Sequence, residues 1–388
     1  MRVRPTAGVY DVASRFYHDG MEQREIDRRH MQRALELAIQ GQGYVEPNPM
    51  VGCVIAQGVQ VVGEGWHRRF GGPHAEVEAL GIAGPQAAGA TMVVTLEPCC
   101  HHGKTPPCTE AIVAAGVRRV VVAQQDPFPE VSGRGLAALR AAGIELEVGV
   151  LEAEARRLVA PYRKLLATGR PWVIAKWAMS LDGRTATRTG SSRWISNEAS
   201  RQIVHGLRGR VDAIIVGRQT ARVDDPLLTA RPPGPRVALR VVVDSRASLS
   251  SGSQLVRTAR QTPVLVAASP TASPADRQRL AGAGCEVLVC HGDSHAERLT
   301  WLLEELGRRR HTNVLVEGGG QLLGGLLEGR QIDEVHVFVA PKLVGGELAR
   351  SPIEGEGIAA MSDAMALDSP EWRQLGGDLY FTGRIARG

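Results

Sequence analysis

The chain has 388 residues, of which 43% are hydrophobic and 22% are charged, and its formal net charge is +5. A domain usually has about 100–200 residues, so this length predicts two domains, and no apolar run reaches the ~20 residues that a bilayer-spanning helix needs. The N-terminus lacks the apolar core of a secretory signal, so we expect a cytoplasmic protein with a mobile extension over residues 1–25.

The first half predicts helices that alternate with strands. RRHMQRALELAIQ has apolar residues at helical spacing, and MVGCVIA and VQVVGEG flank Gln57-Gly58 as in a hairpin. A helix from Ala75 to Ile82 follows, and then strands and helices alternate up to the strand IELEVGV. The predicted order is α-β-β-α-β-α-β-α-β, with the helices packed on one mixed sheet.

The second half predicts another α/β domain. Residues 151–169 are expected to form a helical connector that Thr168-Gly169-Arg170-Pro171 ends, which gives a first domain over 26–169 and a second over 170–388. The strand WVIAKWAMS begins the second domain, and later strands alternate with helices, as in a largely parallel sheet. These later strands are AIIVG, RVVVD, PVLVAA, EVLVC, NVLVEG and EVHVFVA.

A cluster of metal-ligating residues lies in the first half. Three of the six cysteines fall within ten residues of one another in TLEPCCHHGKTPPCTEA, and His74-Ala75-Glu76 begins a predicted helix upstream. Zinc nucleobase deaminases carry H-x-E followed by P-C-x-x-C, with the histidine and both cysteines on the metal. Pro98-Cys99 fits this pattern, but the next candidate, Cys108, follows after nine residues instead of three.

These residue types suit a catalytic zinc site. Three ligands leave one position for a water whose pKa the metal lowers, and Glu76 could carry its proton to a ring nitrogen and a leaving amine. Spacing alone leaves a structural Cys/His zinc site or free thiols open, although a structural site would not need Glu76. It also leaves three alternative ligands, Cys100, His101 and His102.

Over residues 28–385 the chain resembles the bifunctional deaminase-reductase family of riboflavin biosynthesis. The resemblance is carried by PNPMVGCVI, GEGWHRRFGGPHAEVEAL, TLEPCCHHGKTPPCTEAIVAAGV, AKWAMSLDGRTA, SRWIS, DDPLLTAR and VAPKLVGG. It implies a cytidine-deaminase-like three-layer α/β domain followed by a dihydrofolate-reductase-like α/β domain. It also implies zinc on His74, Cys99 and Cys108, with Glu76 as the catalytic acid-base.

The family carries out two consecutive reactions. Zinc-dependent hydrolysis removes an amine from 2,5-diamino-6-(5-phosphoribosylamino)pyrimidin-4-one, and NADPH then reduces the ribosyl chain of the product to ribityl. By resemblance Asn48 would bind the substrate, although a turn residue between two prolines would give the same pattern.

The second half has no G-x-G-x-x-G after a strand, so a Rossmann fingerprint is absent. Its best phosphate site is VEGGGQLLGGLL, where glycines separate a strand from a helix, although a plain βα turn has the same pattern. The resemblance implies NADPH contacts at Ala178, Trp194, Thr220, Asp224, Ser245, Gly319, Gly320, Gln321, Leu322, Leu323, Gly324 and Gly325. It implies substrate contacts at Ser192, Arg208, Leu228, Arg231 and Glu317.

Two of these residues have a chemical rationale of their own, and two further residues are candidates for the chemistry. Arg208 and Arg231 suit a phosphate ester, because a guanidinium binds such oxygens bidentately, although most arginines simply face solvent. Lys176 and Asp182 could polarise the open-chain imine or sugar. The sequence assigns no general acid to the reduction.

The partner expected is a phosphorylated pyrimidine, with no nucleic acid and no membrane, in a homo-oligomer. Two alternatives remain: a nucleic-acid deaminase whose second half binds RNA, and a zinc-stabilised structural protein. The 4% aromatic content and the scattered basic residues argue against the first of them.

Overall fold

The computed structural model describes residues 22–102 and 106–386. The chain divides into two units, Met1–Ala160 and Pro161–Gly388, each built on one sheet. The predicted N-terminal extension lies outside the described residues up to residue 21, and the first helix begins at Gln23. Within the described ranges, no helix is long and apolar enough to cross a membrane.

The first unit has the predicted order of helices and strands. Its elements are α1 (Gln23–Ile39), β1 (Gly52–Gln57), β2 (Gln60–Trp66), α2 (Ala75–Ala83), β3 (Thr91–Val94), α3 (Cys108–Ala114), β4 (Arg119–Val122), α4 (Arg134–Ala141), β5 (Glu145–Val148) and α5 (Glu152–Leu158), with a 3-10 turn at Gly84–Ala87. The sheet order is β2-β1-β3-β4-β5. β1 is antiparallel to β2 and β3, whereas β3, β4 and β5 are parallel, so the predicted hairpin and mixed sheet are confirmed.

Both faces of this sheet are covered by helices, because the residues of its central strands are mostly apolar and buried. Ile55, Val94 and Val122 contact the core that α2, α3 and α4 share, whereas Val54 and Val121 face the core under α1 and α5. Strands buried on both faces read as continuous apolar runs. The result is a three-layer α/β unit.

The second unit is built on a nine-stranded sheet, and the predicted parallel strands are all present. Its elements are α6 (Ala160–Thr168), β6 (Trp172–Ser180), α7 (Glu198–Arg208), β7 (Ala213–Gly217), α8 (Arg218–Asp224), β8 (Leu239–Val243), α9 (Gln254–Arg257), β9 (Val264–Ala268), α10 (Pro274–Gly282), β10 (Glu286–Val289), α11 (His295–Arg308), β11 (Asn313–Glu317), α12 (Gly320–Glu328), β12 (Glu334–Ala340), β13 (Leu367–Leu375) and β14 (Asp378–Ile385), with a 3-10 turn at Met361–Asp363. The sheet order is β10-β9-β8-β7-β11-β6-β12-β14-β13.

Two local features differ from the sequence prediction. The connector is two helices, α5 and α6, because Pro161 lacks the N–H that a continuous helix would need there. The β13–β14 hairpin was not predicted, since most of β13 is exposed and it carries Pro370 in place of an apolar alternation. β14 pairs antiparallel with β12 and with β13, so the hairpin adds two antiparallel strands to one side of an otherwise parallel sheet.

The parallel strands of the second unit end at one edge of the sheet. From β8 through β7 and β11 to β6, neighbouring strands run in the same direction. The loops after these strands therefore meet at this edge, where open α/β sheets usually bind their ligands.

Candidate functional site

One histidine and two cysteines converge in the first unit, each at the boundary of an element. His74 caps the N-terminus of α2, Cys108 begins α3, and Cys99 lies in the loop between β3 and α3. The His74 Nδ1 atom is 3.5 Å from the Cys99 Sγ and 3.3 Å from the Cys108 Sγ. The three ligand atoms lie within 4.8 Å of one another, and one imidazole with two thiols is a donor set that suits zinc.

The two thiols of this cluster share hydrogen bonds. The Cys108 side chain and backbone N–H both donate toward the Cys99 sulfur, and the backbone N–S distance is 3.4 Å. The bond from the Cys108 side chain, with the nearby imidazole, lowers the pKa of Cys99 to about 4, whereas the same shared bond raises the pKa of Cys108. One sulfur is therefore ready to bind a cation as a thiolate. Cys100 is oriented differently, with its sulfur 4.0 Å from the Glu130 carbonyl oxygen.

Glu76 lies in the first turn of α2, two residues after His74. Its side chain is only 3% exposed, and burial raises the pKa of the carboxyl group to about 7. A carboxyl group with a pKa near neutral can both accept and release a proton at physiological pH, which is what a general acid-base requires. Its place beside the cluster matches the role that the sequence predicts.

His67 belongs to this site as well, although the sequence analysis did not single it out. Its ring is buried, and its centre lies 5.3 Å from that of His74 in an edge-on arrangement. The His67 Nδ1 is 2.9 Å from the Pro73 carbonyl oxygen, and its Nε2 is 3.3 Å from the Asn48 amide nitrogen. A neutral ring satisfies both bonds, and burial accordingly lowers the pKa of His67. Asn48 is thereby tied to the metal cluster through one side chain.

Glycines in β2 set the position of the helix that carries Glu76. A methyl group added at Gly65 would lie 2.5 Å from the carbonyl oxygen of Ala75 and 2.5 Å from the nitrogen of Ala79. Gly63 makes a similar approach farther along the same helix. Only glycine lets the strand and the helix backbone come this close.

We expect Gly65→Ala to move α2 and with it Glu76. Overpacking of this kind costs about 1–3 kcal/mol of unfolding free energy, because the obstruction is backbone. Denaturation monitored by circular dichroism should show that loss of stability. A separate assay should show reduced catalysis at the site that contains Glu76. Gly81→Ala is the matched control: Gly81 lies in the same helix with nothing near its added methyl group, so this change should be neutral or stabilising. Equal stability of the two variants would refute the packing argument.

A cavity of about 1940 Å³ opens at the ligand edge of the second sheet. Most of the residues predicted to bind cofactor or substrate line it: Ala178, Ser192, Trp194, Arg208, Thr220, Asp224, Leu228, Arg231, Ser245, Glu317, Gly319, Gly320, Gln321 and Leu322. Three predicted residues do not. Leu323 is buried in the core, and added methyl groups on Gly324 and Gly325 would meet Glu354 and Leu299, so this part of α12 faces its own unit.

The glycine loop after β11 forms one wall of this cavity. Gly318 and Gly319 have φ values of 76° and 91°, in the region that favours glycine. An added methyl group on Gly319 would lie 3.5 Å from the Thr220 hydroxyl oxygen, so the loop passes close to α8. The amide groups that begin α12 are at this wall, where a helix N-terminus attracts phosphate.

Arg208 and Glu317, two of the predicted substrate contacts, form an ion pair at the cavity wall. The Arg208 Nε and Nη2 donate to the two carboxylate oxygens of Glu317 at 2.5 and 2.8 Å, and its Nη1 lies 3.4 Å from the Thr229 carbonyl oxygen. The guanidinium has more N–H donors than these contacts use, so the predicted role of Arg208 as a substrate ligand stays a prediction. The Arg231 guanidinium has no ion-pair partner among the described residues and remains available.

Lys176 and Asp182 occupy different environments. Lys176 lines the cavity opposite Glu317 in the strand register, and burial lowers the pKa of its ammonium group. Asp182 does not line the cavity; it accepts bonds from Ser180 and from the backbone N–H groups of Val344 and Gly345. These bonds lower the pKa of Asp182 to about 2 and indicate that its carboxylate stabilises the loop it lies in.

Comparison with known proteins finds family models that match each of the two units. A family model for the cytidine and deoxycytidylate deaminase zinc-binding region matches residues 24–124, and one for the RibD C-terminal domain matches residues 171–381. The chain is 40% identical over 356 residues to the riboflavin biosynthesis protein RibD of Actinobacillus pleuropneumoniae, covering 91% of this chain and 94% of that protein. It is 38% identical over 366 residues to the RibD of Escherichia coli, covering 91% and 98%.

Solved structures resemble the whole chain. RibD of Acinetobacter baumannii matches with a TM-score of 0.82 at 38% identity, covering 94% of this chain and all (100%) of that one. A diaminohydroxyphosphoribosylaminopyrimidine deaminase/5-amino-6-(5-phosphoribosylamino)uracil reductase from Thermotoga maritima matches with a TM-score of 0.81 at 33% identity, again covering 94% and 100%.

Proposed function

Because this chain belongs to the RibD family of riboflavin biosynthesis proteins, we propose which of its residues perform each of the family's two reactions. The chain is a bifunctional enzyme: a zinc-dependent deaminase of the diaminopyrimidine ribosyl phosphate, and an NADPH-dependent reductase of the resulting uracil. The observation that carries the assignment of residues is the convergence of His74, Cys99 and Cys108 beside the buried Glu76.

The deaminase half is assigned to the cluster in the first unit. His74, Cys99 and Cys108 would hold zinc, which when bound supplies the Lewis acidity that activates water near neutral pH. Glu76 would accept a proton from the attacking water, whose oxygen bonds to the ring carbon, and would pass protons to the ring nitrogen and the amine, so that the C–N bond breaks and ammonia leaves. Asn48, held by His67, orients the ring of the substrate.

The reductase half is assigned to the cavity of the second unit. NADPH, when bound, supplies the hydride, and the protein aligns the ribosyl carbon with it. The backbone of Gly318, Gly319 and Gly320 would hold the pyrophosphate, and Arg231 the phosphate ester of the substrate. Lys176 lines the cavity and would donate a proton to the ring oxygen as the sugar ring opens.

Cellular location and oligomeric state stay predictions. The findings establish an enzyme that acts on small molecules, with no membrane-spanning helix among the described residues. A cytoplasmic location and a homo-oligomeric state remain hypotheses, to be tested by cell fractionation and by light scattering.

Removal of zinc tests the assignment. A strong chelator should abolish ammonia release and leave NADPH-dependent reduction of the pre-formed uracil substrate unchanged, because the two sites lie in different units. The zinc content should fall from about one ion per chain to none, and added zinc should restore deamination. The same zinc loss is expected for Cys108→Ser, with Cys285→Ser, far from the cluster in sequence, as its control. Full ammonia release by metal-free protein would overturn the assignment.

A further inference from the structure

Cys99 differs from the other two candidate zinc ligands in how the fold holds it. His74 caps α2 and Cys108 begins α3, so a helix fixes the position of each. Cys99 lies in a loop, five residues after the end of β3. Its carbonyl oxygen accepts a bond from the Thr109 N–H at 3.2 Å, which ties the loop to the start of α3. Because the ligands of a metal site must be held to within about 0.5 Å, the chain before Cys99 needs an anchor as well.

Glu97, two residues before Cys99, has a buried carboxylate that joins three segments of the first unit. It is 3% exposed. Its Oε2 accepts bonds from the backbone N–H groups of Asp126 and Gly133 at 3.1 and 3.0 Å, and its Oε1 accepts one from Leu136 at 3.1 Å. These partners are 29 to 39 residues farther along the chain. The carboxylate thereby connects the loop that carries Cys99 to the loop after β4 and to the start of α4.

The bonds from α4 are those that a helix N-cap side chain would make. The helix begins at Arg134, after Gly133, which has no side chain to accept bonds from the first N–H groups. Glu97 supplies the oxygen atoms instead, and the helix dipole favours a negative charge at this end. α4 is itself fixed, because Leu136 and Leu139 pack in the hydrophobic core. Glu97 is therefore attached to a rigid element.

Close packing constrains the same loop from the side of α4. A methyl group added at Gly135 would lie 2.1 Å from the Pro98 carbonyl oxygen and 3.2 Å from the Glu97 Cγ. The Glu97 backbone N–H also donates to the Gln124 carbonyl oxygen at 3.0 Å, which continues the pairing of β3 with β4. Each of these contacts fixes the backbone immediately before Cys99.

We propose that Glu97 is a positioning residue for zinc, whose carboxylate, bound to α4 and to the loop after β4, holds Cys99 in place relative to His74 and Cys108. Glu97 is not among the three clustered ligands, so it acts through the position of Cys99. This role differs from that of Glu76, which would exchange protons with the substrate. The inference rests on the proposed zinc site. Groups that orient the ligands of a metal site typically contribute about 10-fold to about 100-fold in metal affinity.

Zinc affinity, measured on the full-length protein by competition with a chelator, tests the proposal. Glu97→Gln keeps the shape of the side chain, but its amide nitrogen cannot accept an N–H. Its Kd for zinc should rise about 10-fold to about 100-fold, and Glu97→Ala should bind zinc more weakly still. Ammonia release by Glu97→Gln should be low at limiting zinc and should recover at saturating zinc, because metal binding helps to order the site.

Glu130→Gln is the matched control. Glu130 is exposed and lies in the loop after β4, so this variant loses the same charge without losing a buried bond. Its zinc affinity and its ammonia release should equal those of the unaltered protein. A Kd for Glu97→Gln equal to that of the unaltered protein would overturn the proposal. Ammonia release that stays low in folded, zinc-saturated Glu97→Gln would overturn it too, because Glu97 would then act on more than the metal.

Gly135→Ala is an independent test, and it decides the question if Glu97→Gln does not fold. The added methyl group must displace the Pro98 carbonyl while the Glu97 carboxylate is kept, so the Kd for zinc should again rise by about 10-fold or more. Gly81→Ala, which has open space around its added methyl group, should bind zinc as the unaltered protein does. Equal zinc affinity of the two glycine variants would contradict the proposal and leave the zinc site standing. Failure of the unaltered protein to bind zinc would overturn the zinc site itself.

Discussion

Glu76→Gln is expected to lower ammonia release about 10²-fold to about 10⁴-fold, the range in which general acid-base groups contribute. The amide has the same shape as the carboxylate and cannot accept the proton. Glu76 is not among the three clustered ligands, so zinc content should stay at that of the unaltered protein. NADPH-dependent reduction of the deaminated substrate should also be unchanged. The measurements are ammonia release, metal content and NADPH consumption on one preparation.

Glu78→Gln supplies the control for this result. Glu78 lies two residues farther along the same helix, where it forms a partly exposed ion pair with Arg68 at 3.2 Å. Exposed pairs of this kind contribute about 0–1 kcal/mol, so neither activity should change appreciably. Ammonia release by Glu76→Gln at the unaltered rate, in protein that retains zinc, would remove Glu76 from the catalytic role. Loss of both activities in folded protein would contradict the claim that the two sites act independently.

Arg208→Ala is expected to destabilise the second unit and to abolish most of the reductase activity. The Arg208 side chain is 14% exposed and that of Glu317 is 7% exposed, so the truncation leaves a carboxylate buried without its partner. Breaking a buried pair in this way costs about 3–5 kcal/mol. Calorimetric unfolding should show the second unit melting earlier, while ammonia release at low temperature persists.

A double-variant cycle separates the pair from a phosphate ligand. If Arg208 and Glu317 act on each other, Glu317→Ala alone is also destabilising, and the loss in the double variant is smaller than the sum of the two single losses. If Arg208 binds the substrate phosphate instead, Arg208→Ala raises the KM for substrate and leaves unfolding unchanged. Arg33→Ala is the control: Arg33 also forks onto a glutamate, Glu64, at 2.8 and 2.9 Å, but at 44% and 32% exposure this pair should contribute little.

The fold was largely predictable because its signals are local. Most strands of the two sheets are largely apolar runs, and many breaks between elements carry glycine or proline, so periodicity indicated the order of elements. The exceptions are segments where the local signal is weak or misleading. The β13–β14 hairpin is stabilised by pairing with β12 and not by its own exposed sequence, and the connector divides at Pro161.

The amino-acid sequence by itself indicated a zinc-binding cluster with a carboxylate beside it, because His74, Glu76, Cys99 and Cys108 lie within short segments, but the spacing left other ligands open. It also indicated a glycine loop before α12, since three consecutive glycines separate a strand from a helix, although a plain βα turn has the same pattern. Resemblance to a family then extended these motifs to both reactions.

Only the tertiary structure decided how distant side chains pair. Arg208 and Glu317 are 109 residues apart, and only the folded chain shows that these two predicted substrate contacts form a bidentate ion pair. The contact of Asn48 with His67 also arises from neighbouring elements. The physical reason is that spacing along the chain fixes what lies on one helix or loop, whereas the order of strands in a sheet fixes which loops meet.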